Sequence, residues 1–261
     1  MRQLPYHNGM KIKILILGIV SMGCTQQPID SKNVLPVKPN VATCAKTTVV
    51  AVIDTGMNYV PGAKICKFGH KDFTSSNDSV TVDGIVAPVP KDNHGHGTNI
   101  AGVIQKNAGD SNFCMVILKY YDPNSVGNNN LNNTIKAIKY ATKIGAKYIN
   151  YSGGGIELSV GERDAVKAFL DKGGKFIAAA GNEKSDIDLV HYYPAMDDER
   201  VVVVGSIEKD GKVAPYSNWG KSVKRWEYGT GQVGFGIAMS GTSQAAAVAT
   251  GKIINESKCD K

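Results

Sequence analysis

Val49-Val50-Ala51-Val52-Ile53-Asp54-Thr55-Gly56 is an unbroken apolar run that ends on a carboxylate and a glycine turn. A run with no polar alternation suits a strand buried on both faces, the usual strand of a parallel sheet. Similar runs predict strands over 115–120, 148–152, 175–180 and 201–206. Helical periodicity fills the intervals over 98–105, 131–143, 160–172 and 242–255. This alternation predicts an α/β domain in three layers, a mostly parallel sheet flanked by helices. Ligands of such sheets bind beyond the carboxyl ends of the strands. Asp54, Ser152-Gly153-Gly154-Gly155 and Gly181-Asn182 all follow predicted strand ends.

Two further motifs give Asp54 a chemical context. His96 lies in His94-Gly95-His96-Gly97-Thr98, and Ser243 in Ser240-Gly241-Thr242-Ser243-Gln244-Ala245-Ala246-Ala247. Taken singly, each has a plainer role. Asp-Thr-Gly is a turn, the histidine a buried or capping residue, and Ser243 an N-cap. Together they supply a nucleophile, a base to take its proton and an acid to orient the base. Their order of acid, imidazole and hydroxyl is one of the three known for such triads. Asn182 follows the run Ala178-Ala179-Ala180-Gly181, where its side-chain amide could donate to an oxyanion beside the backbone N–H of Ser243.

Composition sets the bounds. The chain has 261 residues, 42% of them hydrophobic, enough for one full-sized domain. The formal charge of +7 falls to +4 without Arg2, Lys11 and Lys13, and the remaining basic residues are scattered, which argues against nucleic acid as a partner. Lys11 and Lys13 precede the apolar Ile14-Leu15-Ile16-Leu17-Gly18-Ile19-Val20, the pattern of an export signal. Ser21-Met22-Gly23-Cys24 resembles a bacterial lipoprotein cleavage box, with Ser21 where leucine is favoured. We therefore expect a signal over 1–23, lipidation at Cys24, a polar proline-containing tether over 24–43, and a folded domain over 44–261. That places the protein in the cell envelope or secreted, touching membrane only through a lipid anchor. Cys44, Cys66, Cys114 and Cys259 remain, an even number that permits two disulfides in an exported protein. Cys66–Cys114 is favoured because their strands could be sheet neighbours. None of the cysteines has zinc-site spacing.

The motifs resemble those of the subtilisin-like serine peptidases. Val52-Ile53-Asp54-Thr55-Gly56 is similar to the family's aspartate motif, and His96-Gly97-Thr98-Asn99-Ile100-Ala101-Gly102 to its histidine motif. Ala180-Gly181-Asn182-Glu183 is similar to its oxyanion motif, and Gly241-Thr242-Ser243 to its serine motif. The resemblance extends from about Thr48 to Gly251. It implies a serine endopeptidase acting on polypeptide through Asp54, His96 and Ser243, with Asn182 as oxyanion donor, no cofactor, and a monomeric state. Ser152, Gly153, Gly154 and Gly155 on one side and Ala179, Ala180 and Gly181 on the other would line the primary specificity pocket, the glycines leaving room for a large apolar side chain. Residues 124–128 would pair with extended substrate as an edge strand. Glu183 stands at the pocket mouth, where a solvated carboxylate is the plainer reading.

Several departures from the family pattern carry their own expectations. Ala247 stands where the family has proline after the serine, and Asn99 where it commonly has a second histidine. Alanine would relax the first turn of the serine helix. Two alternatives follow: an acyl-transferring enzyme in which an amine competes with water, and a non-catalytic peptide-binding protein on the same scaffold. The short link from His96 to the strand at Met115 leaves out the loop that carries calcium in many relatives, so no metal is expected there. The short stretch between Cys24 and the first strand leaves no room for the usual inhibitory pro-domain.

Overall fold

The computed structural model describes residues 47–58, 60–75, 89–124 and 129–257. The expected signal, lipidation site and tether lie outside these residues, as do Cys44 and Cys259. The sheet has seven strands, all parallel: β1 (Thr48–Asp54), β2 (Lys71–Asp72), β3 (Phe113–Lys119), β4 (Tyr148–Tyr151), β5 (Lys175–Ala179), β6 (Val202–Ile207) and β7 (Arg225–Tyr228). Their spatial order is β2-β3-β1-β4-β5-β6-β7. A small antiparallel pair, β8 (Gln232–Gly234) and β9 (Ile237–Met239), lies apart from it. Four helices occur among the described residues: α1 (His96–Ala108), α2 (Asn129–Lys143), α3 (Val160–Asp171) and α4 (Thr242–Glu256). Every strand and helix read from the sequence is present within a few residues of its expected ends.

Successive side chains of a strand point to opposite faces, and this parity builds two cores. Val50 and Val52 of β1 pack with Ile100 and Ile104 of α1 and with Ala245, Ala246 and Ile253 of α4. Ala51 and Ile53 pack with Ala137 and Ile138 of α2 and with Val166 and Phe169 of α3. The sheet is thus a middle layer between α1/α4 and α2/α3, the predicted three-layer arrangement. From Thr242 to Gly251 every α4 residue is buried, which small side chains permit by letting the helix lie close on the sheet.

Cys66 and Cys114 form a disulfide, and the Cys66 N–H donates to the Met115 carbonyl beside it. Closing a loop between residues 48 apart restricts the unfolded chain. Cys66→Ser with Cys114→Ser is expected to lower the unfolding free energy by about 2–4 kcal/mol. Urea titrations of wild type and variant check this, and equal midpoints would show that the cross-link does not stabilise the fold.

Candidate active site

Asp54 is the last residue of β1. Its parity matches Val50 and Val52, so its carboxylate faces the α1/α4 layer, where it is buried. Gly56 then turns the chain at φ 110°, a left-handed conformation that favours glycine, with the Pro90 carbonyl against the space a Cβ would take. His96 opens α1, and its Nδ1 lies 2.8 Å from Asp54 Oδ1. A carboxylate only accepts hydrogen bonds, so Nδ1 carries the proton and the lone pair is left on Nε2. Asp54 Oδ1 also accepts from the Thr55 N–H at 2.8 Å. Burial lowers the His96 pKa, but the charge and hydrogen bond of Asp54 outweigh it, and the net direction is upward.

Asp92 has a part that motif reading missed. Its buried carboxylate accepts from the N–H groups of His94, Gly95 and Thr98 and from the hydroxyls of Thr55 and Thr98, at 2.6–2.9 Å. Thr55 Oγ1 in turn accepts from the Gly97 N–H at 2.9 Å. One carboxylate therefore ties the turn after Asp54 to the first turn of α1. Burial pushes its pKa up, the donors pull it down, and the donors prevail. The only sequence signal was an aspartate four residues before His96, in a turn-forming Asp-Asn-His-Gly context.

Ser243 enters from the other side of the cleft, in the first turn of α4. Its Oγ donates to the Ser152 carbonyl at 3.0 Å, and Ser152 Oγ donates to the Ser243 carbonyl at 3.2 Å. The serine hydroxyl is thus parked on the end of β4 rather than on His96 Nε2. The helix begins at Thr242 with the Ala245 N–H donating to the Gly241 carbonyl at 3.2 Å, and Ala247 is fully buried. A buried amide pair joins the histidine and serine helices: Gln244 Nε2 donates to Asn99 Oδ1 at 3.0 Å. Asn99 Nδ2 donates to the carbonyls of Gln232 and Ile237, at 3.0 and 2.7 Å. Asn99 at the family's second-histidine position is thereby a bridge between α1, α4 and the β8–β9 hairpin.

Asn182 lies beside the same helix start. Its Oδ1 accepts from the Thr242 N–H at 2.9 Å and from Thr242 Oγ1 at 3.1 Å. Both donors fix the amide with its Nδ2 free to donate. The loop is held by Asn218, whose Oδ1 accepts from the N–H groups of Glu183 and Ser185 and whose Nδ2 donates to the Ala180 carbonyl. Glu183 Oε2 accepts from Asn218 Nδ2 at 2.7 Å, so that carboxylate buttresses the loop.

The expected pocket wall is differently filled. A Cβ on Gly153 would strike the Tyr120 hydroxyl, and one on Gly154 would strike the Tyr192 ring. These glycines accommodate tyrosines, and only Gly155 faces open space. Gly155 pairs with Tyr193 through two backbone hydrogen bonds of 2.9 and 2.7 Å. Gly181 is likewise crowded by Asn218 and Tyr192, while Ala179 and Ala180 are buried. Asn124 sits in a turn, bonded to Asp122 at 2.9 Å, and 125–128 lie outside the described residues. Among the described residues no three His, Cys, Asp or Glu side chains converge on a metal position.

Comparison with known proteins agrees with this geometry. Residues 45–254 match the subtilase family. Subtilisin-like protease 2 of Plasmodium falciparum is 33% identical over 147 residues, 51% of this chain but 11% of that protein. Thermitase of Thermoactinomyces vulgaris is 29% identical over 75% of this chain and 70% of its own. The crystal structure of a cold adapted subtilisin-like serine proteinase superposes with a TM-score of 0.65 at 24% identity, covering 81% of this chain and 76% of the other. With the family's profile spanning most of the domain, and the parallel sheet and site motifs in place, this chain belongs to the subtilase family.

Proposed function

We propose that this protein is a serine endopeptidase that hydrolyses polypeptide through an acyl-enzyme. The observation that carries the reading is the Asp54–His96 pair at 2.8 Å, on the layer from which Ser243 also projects. In the reaction Ser243 Oγ leaves the Ser152 carbonyl and turns to His96 Nε2, which takes its proton as Oγ bonds to the scissile carbonyl carbon. Asp54 stabilises the imidazolium so formed. The oxyanion is met by Asn182 Nδ2 and by the Ser243 N–H, which has no protein partner among the described residues. His96 then protonates the leaving amine as the C–N bond breaks. Water, deprotonated by the same imidazole, releases the acid and restores the serine. Substrate lies along the end of β4, past Ser152 and the open Gly155. The leader motif and Cys24 support an exported, membrane-tethered enzyme.

A fluorophosphonate probe tests this. Wild type is expected to gain one phosphonyl adduct, and peptide mass mapping should place it on Ser243. An unmodified, demonstrably folded protein, or an adduct elsewhere, would refute the assignment.

A further inference from the structure

A second acidic group near the cleft has no part in this chemistry. Ser159 caps α3, its Oγ accepting from the Glu162 N–H at 3.3 Å. In the usual capping box the glutamate three residues on reaches back to the N-cap N–H. Glu162 does not. Its side chain turns inward and is 97% buried, from a relative exposure of 3%. The carboxyl makes no hydrogen bond to any described residue. Yet among the described residues only Asp197 contributes side-chain oxygens that are both sealed from solvent and unbonded. The Glu162 oxygens therefore retain open space, and that space is a cavity of about 420 Å³ which Glu162 lines.

The surroundings define what this cavity would accept. Tyr120, Tyr121, Tyr151 and Tyr193 wall it, and the exposed Ile156 and Glu157 stand at its mouth. Among the described residues no lysine or arginine lines it. Gly154 and Gly155 form one edge, two and three residues beyond Ser152, the residue bonded to Ser243. Substrate lying along the end of β4 thus passes the opening. Tyrosine faces attract cations, and an apolar rim suits the aliphatic stem of a long basic side chain. A buried carboxylate needs a counter-charge, and among the described residues no side chain supplies one inside the cavity.

We propose that Glu162 makes this cavity, which borders the substrate path, selective for a lysine or arginine side chain of the polypeptide, with its carboxylate as the counter-charge. The inference rests on the peptidase reading above. Burial, with the like charge of Asp197 adding to it, pushes the Glu162 carboxyl up to about 8. An arriving ammonium or guanidinium within a few ångströms favours the ionised form and makes a charge-assisted hydrogen bond. The site therefore discriminates against a neutral chain of the same length. Such a chain would leave the glutamate protonated and unbonded.

The test uses full-length protein carrying Ser243→Ala, so that binding is read without turnover. Fluorescence anisotropy at pH 8.5 compares octapeptides in which one lysine is moved through an alanine-rich frame with norleucine counterparts. At one position lysine is expected to bind at least about tenfold more tightly than norleucine, a difference of 1.4 kcal/mol. Glu162→Gln, which keeps the shape and removes a buried unpaired acid, should reduce that ratio below about threefold, and Glu162→Asp should restore part of it. Equal binding of lysine and norleucine at every position, absence of peptide binding, or a preference unchanged by Glu162→Gln would overturn the proposal. Wild-type fluorophosphonate labelling is scored separately. A failure there strikes the peptidase reading, while a lysine preference that depends on Glu162 would still establish the subsite.

Discussion

Ser243→Ala is expected to lower turnover of a peptide substrate by about 10⁶-fold, because in the proposed mechanism Asp54, His96 and Ser243 act as one unit and loss of the nucleophile forfeits the contribution of all three. What remains would be the smaller acceleration from oxyanion donors and binding alone. The fold should survive. Ser243 Oγ makes one hydrogen bond, to the Ser152 carbonyl, and its loss costs about 1 kcal/mol. The α4 turn that carries it is held independently by Asn182 at the Thr242 N–H and by the Gln244–Asn99 bond. Turnover measured with active-site titration, alongside a thermal melt, separates chemistry from folding. A residual rate within 10²-fold of wild type, on the scale of losing a single oxyanion donor, would mean that another group is the nucleophile.

The second large effect belongs to Asp54→Asn, expected to lower turnover by about 10⁴-fold. An amide can present its N–H₂ to His96 Nδ1, which then becomes the acceptor and places the proton on Nε2, where the serine needs a lone pair. The pH profile adds an independent mark. His96 acts as base only when neutral, and Asp54 holds its pKa above the ordinary imidazole value, so the acid limb of wild-type activity lies above about 6.5. With asparagine the lowering by burial is opposed only by the weaker pull of the Asp92 charge, and the limb should move to lower pH while the plateau falls. An unmoved limb would show that Asp54 does not set the His96 charge. The stability linkage has the same sign: the pair stabilises the fold fully below the unfolded histidine pKa, and that gain is lost as pH rises through the raised value.

The fold and the motifs were more legible than the shell that holds them. β1, β3, β4, β5 and β6 could be read because strands covered on both faces must be apolar throughout. β7 is an edge strand, and Arg225-Trp226-Glu227-Tyr228 mixes charge with aromatic residues because Arg225 and Glu227 bond to each other there. β2 has two residues, too few to show a period. Asp54, His96, Ser243 and Asn182 stood out because each sits in a compact motif. The bonds made by Asp92, Asn218 and Asn99 could not be read, since their partners lie in other turns and helices and only folding brings them together. Gly153 and Gly154 misled for a related reason. Glycine in a sequence marks an absent side chain, and nothing local reveals that tyrosines have taken the space.

The alternation of β1 between the two cores has a bearing on how this chain can vary. Because Asp54 reaches the cleft by odd–even count from Val50 and Val52, one residue inserted into or deleted from β1 would send the carboxylate towards Phe169 and Ile138. Every β1 residue between the change and Asp54 would flip with it. A two-residue change would keep the parity and alter only the reach of the strand. The orientation of Asp54 is thus set by the residue count of β1 as well as by its chemistry.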